Sequence, residues 1–268
     1  MKNKVEEHVC TCSVVATTST LASLPTGPIS GIRWPSVMVD EVTMVTPAMC
    51  TFLASIASDR LLLAGDPRQL GPVYEEPRKA LQEDPCLAWM GRDVFDISGV
   101  SKGEGEAMRI ATTDPRLVRI TSQRRCATEI WERVCRLYPE VNHLANEAAL
   151  AGIRALPPCP GHVVAILDTS GCDAVAVKKQ RSWQNEFTAQ LALEVASTVA
   201  AEANRVASVA IIAPYRAQVQ MLRRWLRQEQ TAENGPVGHY RVECGTVHQF
   251  QGSDADVVIF GLVDGPGR

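Results

Sequence analysis

The chain has 268 residues, 46% hydrophobic and 21% charged, enough for one large domain or two modest ones with a substantial core. With 18 Gly, 16 Pro and no dominant residue type, the composition excludes a collagenous, coiled-coil or wholly disordered chain. Lysine and arginine number 27 against 30 acidic residues, a formal charge of −3, so any nucleic-acid contact must be a local groove rather than the whole surface.

The N-terminus, MKNKVEEHVCTC, carries acids where a secretory signal needs its apolar stretch, and no window reaches the ~18 apolar residues of a membrane span. A cytoplasmic protein with no membrane partner is expected. Of nine cysteines only Cys10 and Cys12 lie close together, without zinc-finger spacing, which predicts reduced thiols and no metal cluster.

Short aliphatic runs bounded by polar or turn residues predict buried strands at 13–16, 37–39, 61–64, 163–167, 209–213 and 256–263. Segments long enough for crossover helices separate several of them, so parallel α/β sheets are expected. The glycine-spaced polar stretch around Gly99, Gly103 and Gly105 marks a boundary, giving domains 1–115 and 116–268. The prolines at 157, 158 and 160 are a second break, inside the second domain. A helix is predicted over 186–204, with Phe187, Leu191, Val195 and Val199 as its apolar stripe. Another is predicted over 217–229, with Val219, Leu222 and Leu226 inward and Arg223, Arg224 and Arg227 as a solvated face.

The chemistry concentrates at strand ends. The strand at 37–39 runs into Asp40 and Glu41, two carboxylates at the carboxyl edge where α/β sites form. In nucleotide hydrolysis the first acid can hold Mg²⁺ through its water shell and the second can orient or deprotonate the attacking water. The same pair also occurs as an ordinary turn or helix cap. A second strand ends in Gly65 and Asp66, with Gln69 three residues on; a glutamine amide beside a phosphate site can register the terminal phosphate.

From these residues onward the sequence resembles the superfamily 1 helicases of the branch that holds the RNA-decay helicase Upf and the replication helicase-nuclease Dna. Residues 12–22 (CSVVATTSTLA) resemble the threonine-rich turn that touches the nucleic-acid backbone, Asp40-Glu41 resembles Walker B, and 65–73 (GDPRQLGPV) resembles motif III. Residues 120–126 (ITSQRRC) resemble the Gln-Tyr-Arg-Met segment that opens the second domain. Residues 212–218 (IAPYRAQ) resemble the next motif and 245–259 (GTVHQFQGSDADVVI) motif V.

The resemblance implies two RecA-like P-loop NTPase domains with parallel sheets, working with ATP and Mg²⁺ on single-stranded DNA or RNA. Residue by residue it makes Asp40 the Mg²⁺ acid, Glu41 the catalytic base, Gln69 the phosphate sensor and Arg125 an arginine finger from the second domain. Asp66 joins the nucleotide site. Gln251, Gly252 and Asp254 fall where the family links nucleotide to bound nucleic acid, and Thr17, Thr18 and Thr246 fall at its phosphate-backbone contacts. Arg124 replaces the tyrosine that stacks on adenine, Asp254 replaces a glutamate, and His248 stands where aspartate is frequent.

No Gly-Lys dipeptide occurs anywhere, so the phosphate-cradling loop G-x-x-x-x-G-K-[ST] is not in this sequence. Family order places that loop before the threonine-rich turn and an arginine-bearing motif VI after residue 268. The expectation is therefore a fragment whose first domain is truncated at its N-terminus, completed by a missing segment or partner strand, and inactive as an ATPase alone. The alternative is a degenerate helicase relative that grips nucleic acid or a partner without hydrolysis.

Overall fold

A computed structural model describes residues 2–72, 83–103, 108–145, 151–172, 174–202, 208–231 and 241–264. Val73, the Glu104 to Glu106 part of the glycine-spaced stretch and the end of the expected helix at 203–204 lie outside them. The chain divides into two compact units, 1–119 and 120–268.

The first unit opens with helices α1 (Lys2–Thr11) and α2 (Ser19–Ser23), the latter capped by the Thr18 hydroxyl, which accepts from Leu21 N. Between them, residues 13–16 form no strand, and Val14 is 84% exposed. Their β-branched composition favours extension, but a strand needs a ladder partner; among the described residues none pairs with them.

Strand β1 (Trp34–Val39) pairs in parallel with β2 (Ala57–Leu63), joined by helix α3 (Pro47–Ile56). Thr46 accepts from Met49 N and Pro47 takes the first helical turn, a start that needs no Pro N–H. Pro35 is tolerated because the ladder register shifts between Trp34 and Ser36. Val39, Val42, Cys50 and Leu53 form the core with Ala22 and Ile29, while Met38 and Leu62, ladder partners on the other face, stay 74% and 52% exposed. Two short helices, α4 (Pro85–Met90) and α5 (Val94–Ile97), follow. The glycine-spaced stretch holds a small antiparallel pair, β3 (Ser101–Lys102) and β4 (Arg109–Ile110).

The second unit starts with the parallel pair β5 (Ser122–Gln123) and β6 (Asn142–His143), with α6 (Thr128–Val134) between them. Helix α7 (Ala151–Arg154) is tied to α6 by an Arg154–Glu129 ion pair. Residues 163–167, an expected strand, have no ladder partner among the described residues, and Ile166 is 89% exposed. A hairpin, β7 (Val177–Lys179) and β8 (Ser182–Gln184), leads into α8 (Glu186–Glu202), then β9 (Ser208–Ile212), α9 (Arg216–Thr231), β10 (Arg241–Gly245), α10 (Val247–Phe250) and β11 (Val257–Phe260). The three long strands form a parallel sheet in the order β10-β9-β11.

Helix α8 buries Ala189, Ala192, Leu193, Ala196, Val199 and Ala200, whereas Phe187 is 41% exposed. The expected stripe is corrected in phase. Strict four-residue spacing gains about 40° per step on a 3.6-residue helix and walks off the buried face; alternating steps of three and four stay on it. Val219 and Leu222 of α9 are buried as expected, in one cluster with Val209, Ile211 and Ala213.

Candidate functional site

In the first unit two backbone hydrogen bonds build the edge. Ala64 N donates to Val39 O at 2.8 Å and Val42 N donates to Ala64 O at 2.9 Å, so the ends of β1 and β2 are laced together around the acids. The chain can make that turn only by placing Glu41 in the left-handed region, φ 50° and ψ 41°, a conformation costly for a side chain with a Cβ. Asp40 stays exposed, its Oδ1 accepting from Glu41 N at 2.9 Å. Glu41 instead reaches inward, with Oε2 buried and without a protein hydrogen-bond partner. Val42 and Thr43 behind it are fully buried.

Beside β1, Gly65 follows β2 where a Cβ would lie 3.2 Å from both Val42 N and Val42 Cγ1. Asp66 then organises its own turn: Oδ1 accepts from Arg68 N at 3.0 Å, its carbonyl accepts from Gln69 N at 3.0 Å, and Oδ2 accepts from Gln69 Nε2 at 3.4 Å. Parallel pairing thus brings Asp40, Glu41, Asp66 and Gln69 to one sheet edge. Thr17 and Thr18 lie in the turn before α2, where the Thr18 hydroxyl oxygen is used in capping and its proton remains to donate.

In the second unit Gln123 folds back on its own turn. Its Oε1 accepts from Arg125 N at 3.0 Å and Cys126 N at 3.2 Å, and both guanidinium-bearing residues, Arg124 and Arg125, are left exposed. The IAPYRAQ segment ends in Gln218, fully buried: Oε1 accepts from Asn185 N at 2.8 Å and Nε2 donates to Asn185 O at 3.1 Å. Asn185 in turn donates from Nδ2 to Val263 O.

Motif V begins at Gly245, where a Cβ would meet the Phe250 ring at 2.8 Å, a contact no side chain could make. Thr246 N donates to Gln249 Oε1 at 3.1 Å. Arg223 grips the same turn, with Nε donating to Cys244 O at 2.9 Å and Nη2 to Gln249 Oε1 at 3.1 Å. Arg223, Arg224 and Arg227 all remain exposed, as the solvated-face expectation has it, and Arg223 adds these two bonds. Burial pushes the neighbouring Cys244 thiol up to about 11, partly opposed by the Arg223 charge. Gln251 has both amide atoms buried and unpartnered in the protein, Gly252 takes φ 75°, and Asp254 is exposed. Asp256, at the start of β11, accepts from Ser208 N at 2.9 Å and Ser208 Oγ at 3.0 Å. His248 lies in α10.

The family described as AAA domain matches residues 120–266. The chain is 25% identical over 267 residues to DNA-binding protein SMUBP-2 of Mesocricetus auratus, covering 97% of this chain and 25% of that protein. It is 23% identical over 257 residues to 5'-3' DNA helicase ZGRF1 of Mus musculus, covering 93% and 12%. The DNA replication ATP-dependent helicase/nuclease DNA2 of Xenopus laevis is 23% identical over 241 residues, covering 86% and 22%.

The chain belongs to the AAA domain family of superfamily 1 DNA/RNA helicases of the DNA2/NAM7 type. It spans about a quarter or less of the length of these relatives. The mixed α/β fold with parallel sheets agrees with that membership. Among the described residues no helix is long and apolar enough to cross a membrane, and no group of His, Cys, Asp and Glu is placed to hold a metal by itself. Sequence reasoning missed Asn185, Gln218, Arg223 and His143 as organisers of the motif loops. Their partners lie 20 or more residues away, beyond any local pattern.

Proposed function

We propose that this chain is part of an ATP-dependent helicase that couples hydrolysis to movement along single-stranded DNA or RNA. The observation that carries the reading is Glu41: a left-handed backbone and a buried, unpartnered carboxylate oxygen beside an exposed aspartate at a parallel sheet edge. Strain and an unsatisfied acceptor are costly, and such costs persist where chemistry needs the group.

In this reading Asp40 holds Mg²⁺ through its water shell and Glu41 takes the proton of the attacking water. Gln69, steadied by Asp66, registers the terminal phosphate. Arg125 would answer developing charge on the phosphoryl group, and Arg124 would offer its planar guanidinium to the adenine. Gln251, Gly252 and Asp254 connect nucleotide to bound strand. Thr17, Thr18 and Thr246 hold phosphates of the strand without reading bases. ATP with Mg²⁺ supplies the phosphoryl chemistry when bound. The donor set fits the Mg²⁺ side of that group, but the phosphate cradle is not in this sequence, so hydrolysis by the chain alone is slow or nil.

That missing Gly-Lys pair favours a second reading, a module that grips a strand without hydrolysis. Fluorescence anisotropy with a labelled single-stranded oligonucleotide separates the two. Coupling predicts that Mg-ATP changes the affinity severalfold and that Asp40→Ala removes the change. Salt-dependent binding indifferent to both ATP and Asp40→Ala would establish the module instead.

A further inference from the structure

The turn that carries Arg124 and Arg125 is secured by a residue no motif contains. β5 and β6 pair so that Gln123 sits directly across from His143, which puts the two side chains on one face of the ladder. The Gln123 amide is used completely. Its oxygen accepts from Arg125 N and Cys126 N, while its nitrogen donates to Cys126 O at 3.4 Å and to His143 Nδ1. An amide NH₂ can only donate, so His143 Nδ1 is the acceptor and the ring proton sits on Nε2, which faces the Thr128 hydroxyl at 2.9 Å. The Trp131 ring stacks on the imidazole, 5.9 Å between centroids and 6° from parallel, and fixes its plane.

We propose that His143 is a positioning residue that, through the Gln123 amide, holds the Arg124–Arg125 turn in the conformation that projects both guanidinium groups. Without an acceptor at Nδ1, one Gln123 proton loses its partner. Turning the amide round to recover one would set its NH₂ against the N–H groups of Arg125 and Cys126, donor against donor. The turn is then free to leave this geometry. The value of the latch for turnover rests on the reading of Arg125 given above; the latch itself does not.

Nuclear magnetic resonance on the isotopically labelled chain tests it. Long-range ¹⁵N–¹H spectra of His143 should show the ring proton on Nε2 and none on Nδ1. His143→Phe keeps a ring for Trp131 to stack on and removes the acceptor. It should raise amide exchange at Arg125 and Cys126 about tenfold while the β9 amides keep their protection. His143→Asn, whose Oδ1 falls close to the place of Nδ1, should restore slow exchange. A wild-type ring protonated on Nδ1 overturns the proposal whatever the variants do, and decides it alone if His143→Phe does not fold. Unchanged exchange at both amides in a folded His143→Phe protein overturns it equally. Arg125→Ala should leave these exchange rates alone, so failure of the finger role and failure of the latch are read separately.

Discussion

The two units hold their candidate site residues in place by different means. In the first, backbone does most of it: the Val39, Ala64 and Val42 hydrogen bonds and one left-handed residue place Asp40 and Glu41, on a sheet whose far face leaves Met38 and Leu62 exposed, while the Asp66 carboxylate fixes the Gln69 turn. In the second, side-chain amides do it. Gln123 and Gln249 close their own turns, Asn185 and Gln218 join backbone across 33 residues, and strand β9 is buried from Val209 through Ile211. A backbone-built site tolerates side-chain change around it but is sensitive to φ; an amide-built site tolerates little change at the amide.

The sharpest way to break that contrast is Gln218→Leu. The leucine fills similar space but leaves Asn185 N buried without its Gln218 partner, while Asn185 O still accepts from Ala189 N and the Thr188 hydroxyl, so unfolding free energy in urea should fall by about 1–3 kcal/mol. A loss under 0.5 kcal/mol would mean the amide is dispensable and the contrast is false. A smaller effect sharpens the picture of burial in the second unit. Cys244, raised to about 11 by burial, stays a protonated thiol at pH 8, so iodoacetamide should label exposed Cys86 and Cys172 well before it. Because the folded state holds this proton more tightly than the unfolded one, the associated stability is intact below the ordinary thiol value of 9 and fades as pH rises toward 11. Early labelling of Cys244 in the folded protein would show that the Arg223 side of the motif V turn is open.

What could be read in the sequence follows the same division. Asp40, Glu41, Asp66 and Gln69 were legible because each follows an aliphatic run, and parallel pairing then gathers strand ends without further instruction. Gln251 entered the candidate set through motif order alone. The strand expectations at 13–16 and 163–167 failed because composition reports a preference for extension, whereas a strand exists only when another supplies its hydrogen bonds. The phase error along α8 arose from treating every fourth residue as one face, which Phe187 shows to be too long a step. The organisers of the second unit were illegible. Gln123 meets His143 at a separation of 20 residues and Asn185 meets Gln218 at 33, and nothing local in either segment marks the partner. Glu41's backbone strain was hidden for another reason: its φ is set by the lacing of β1 to β2, not by its neighbours in sequence.

If chemistry is what keeps Glu41 in an unfavourable conformation, Glu41→Gly measures what that conformation costs. Glycine adopts φ 50° without cost and removes the unpartnered oxygen. Equilibrium urea unfolding should therefore show the variant more stable than the parent by about 1 kcal/mol. A Glu41→Gly protein less stable than the parent would show that Glu41 carries no such strain.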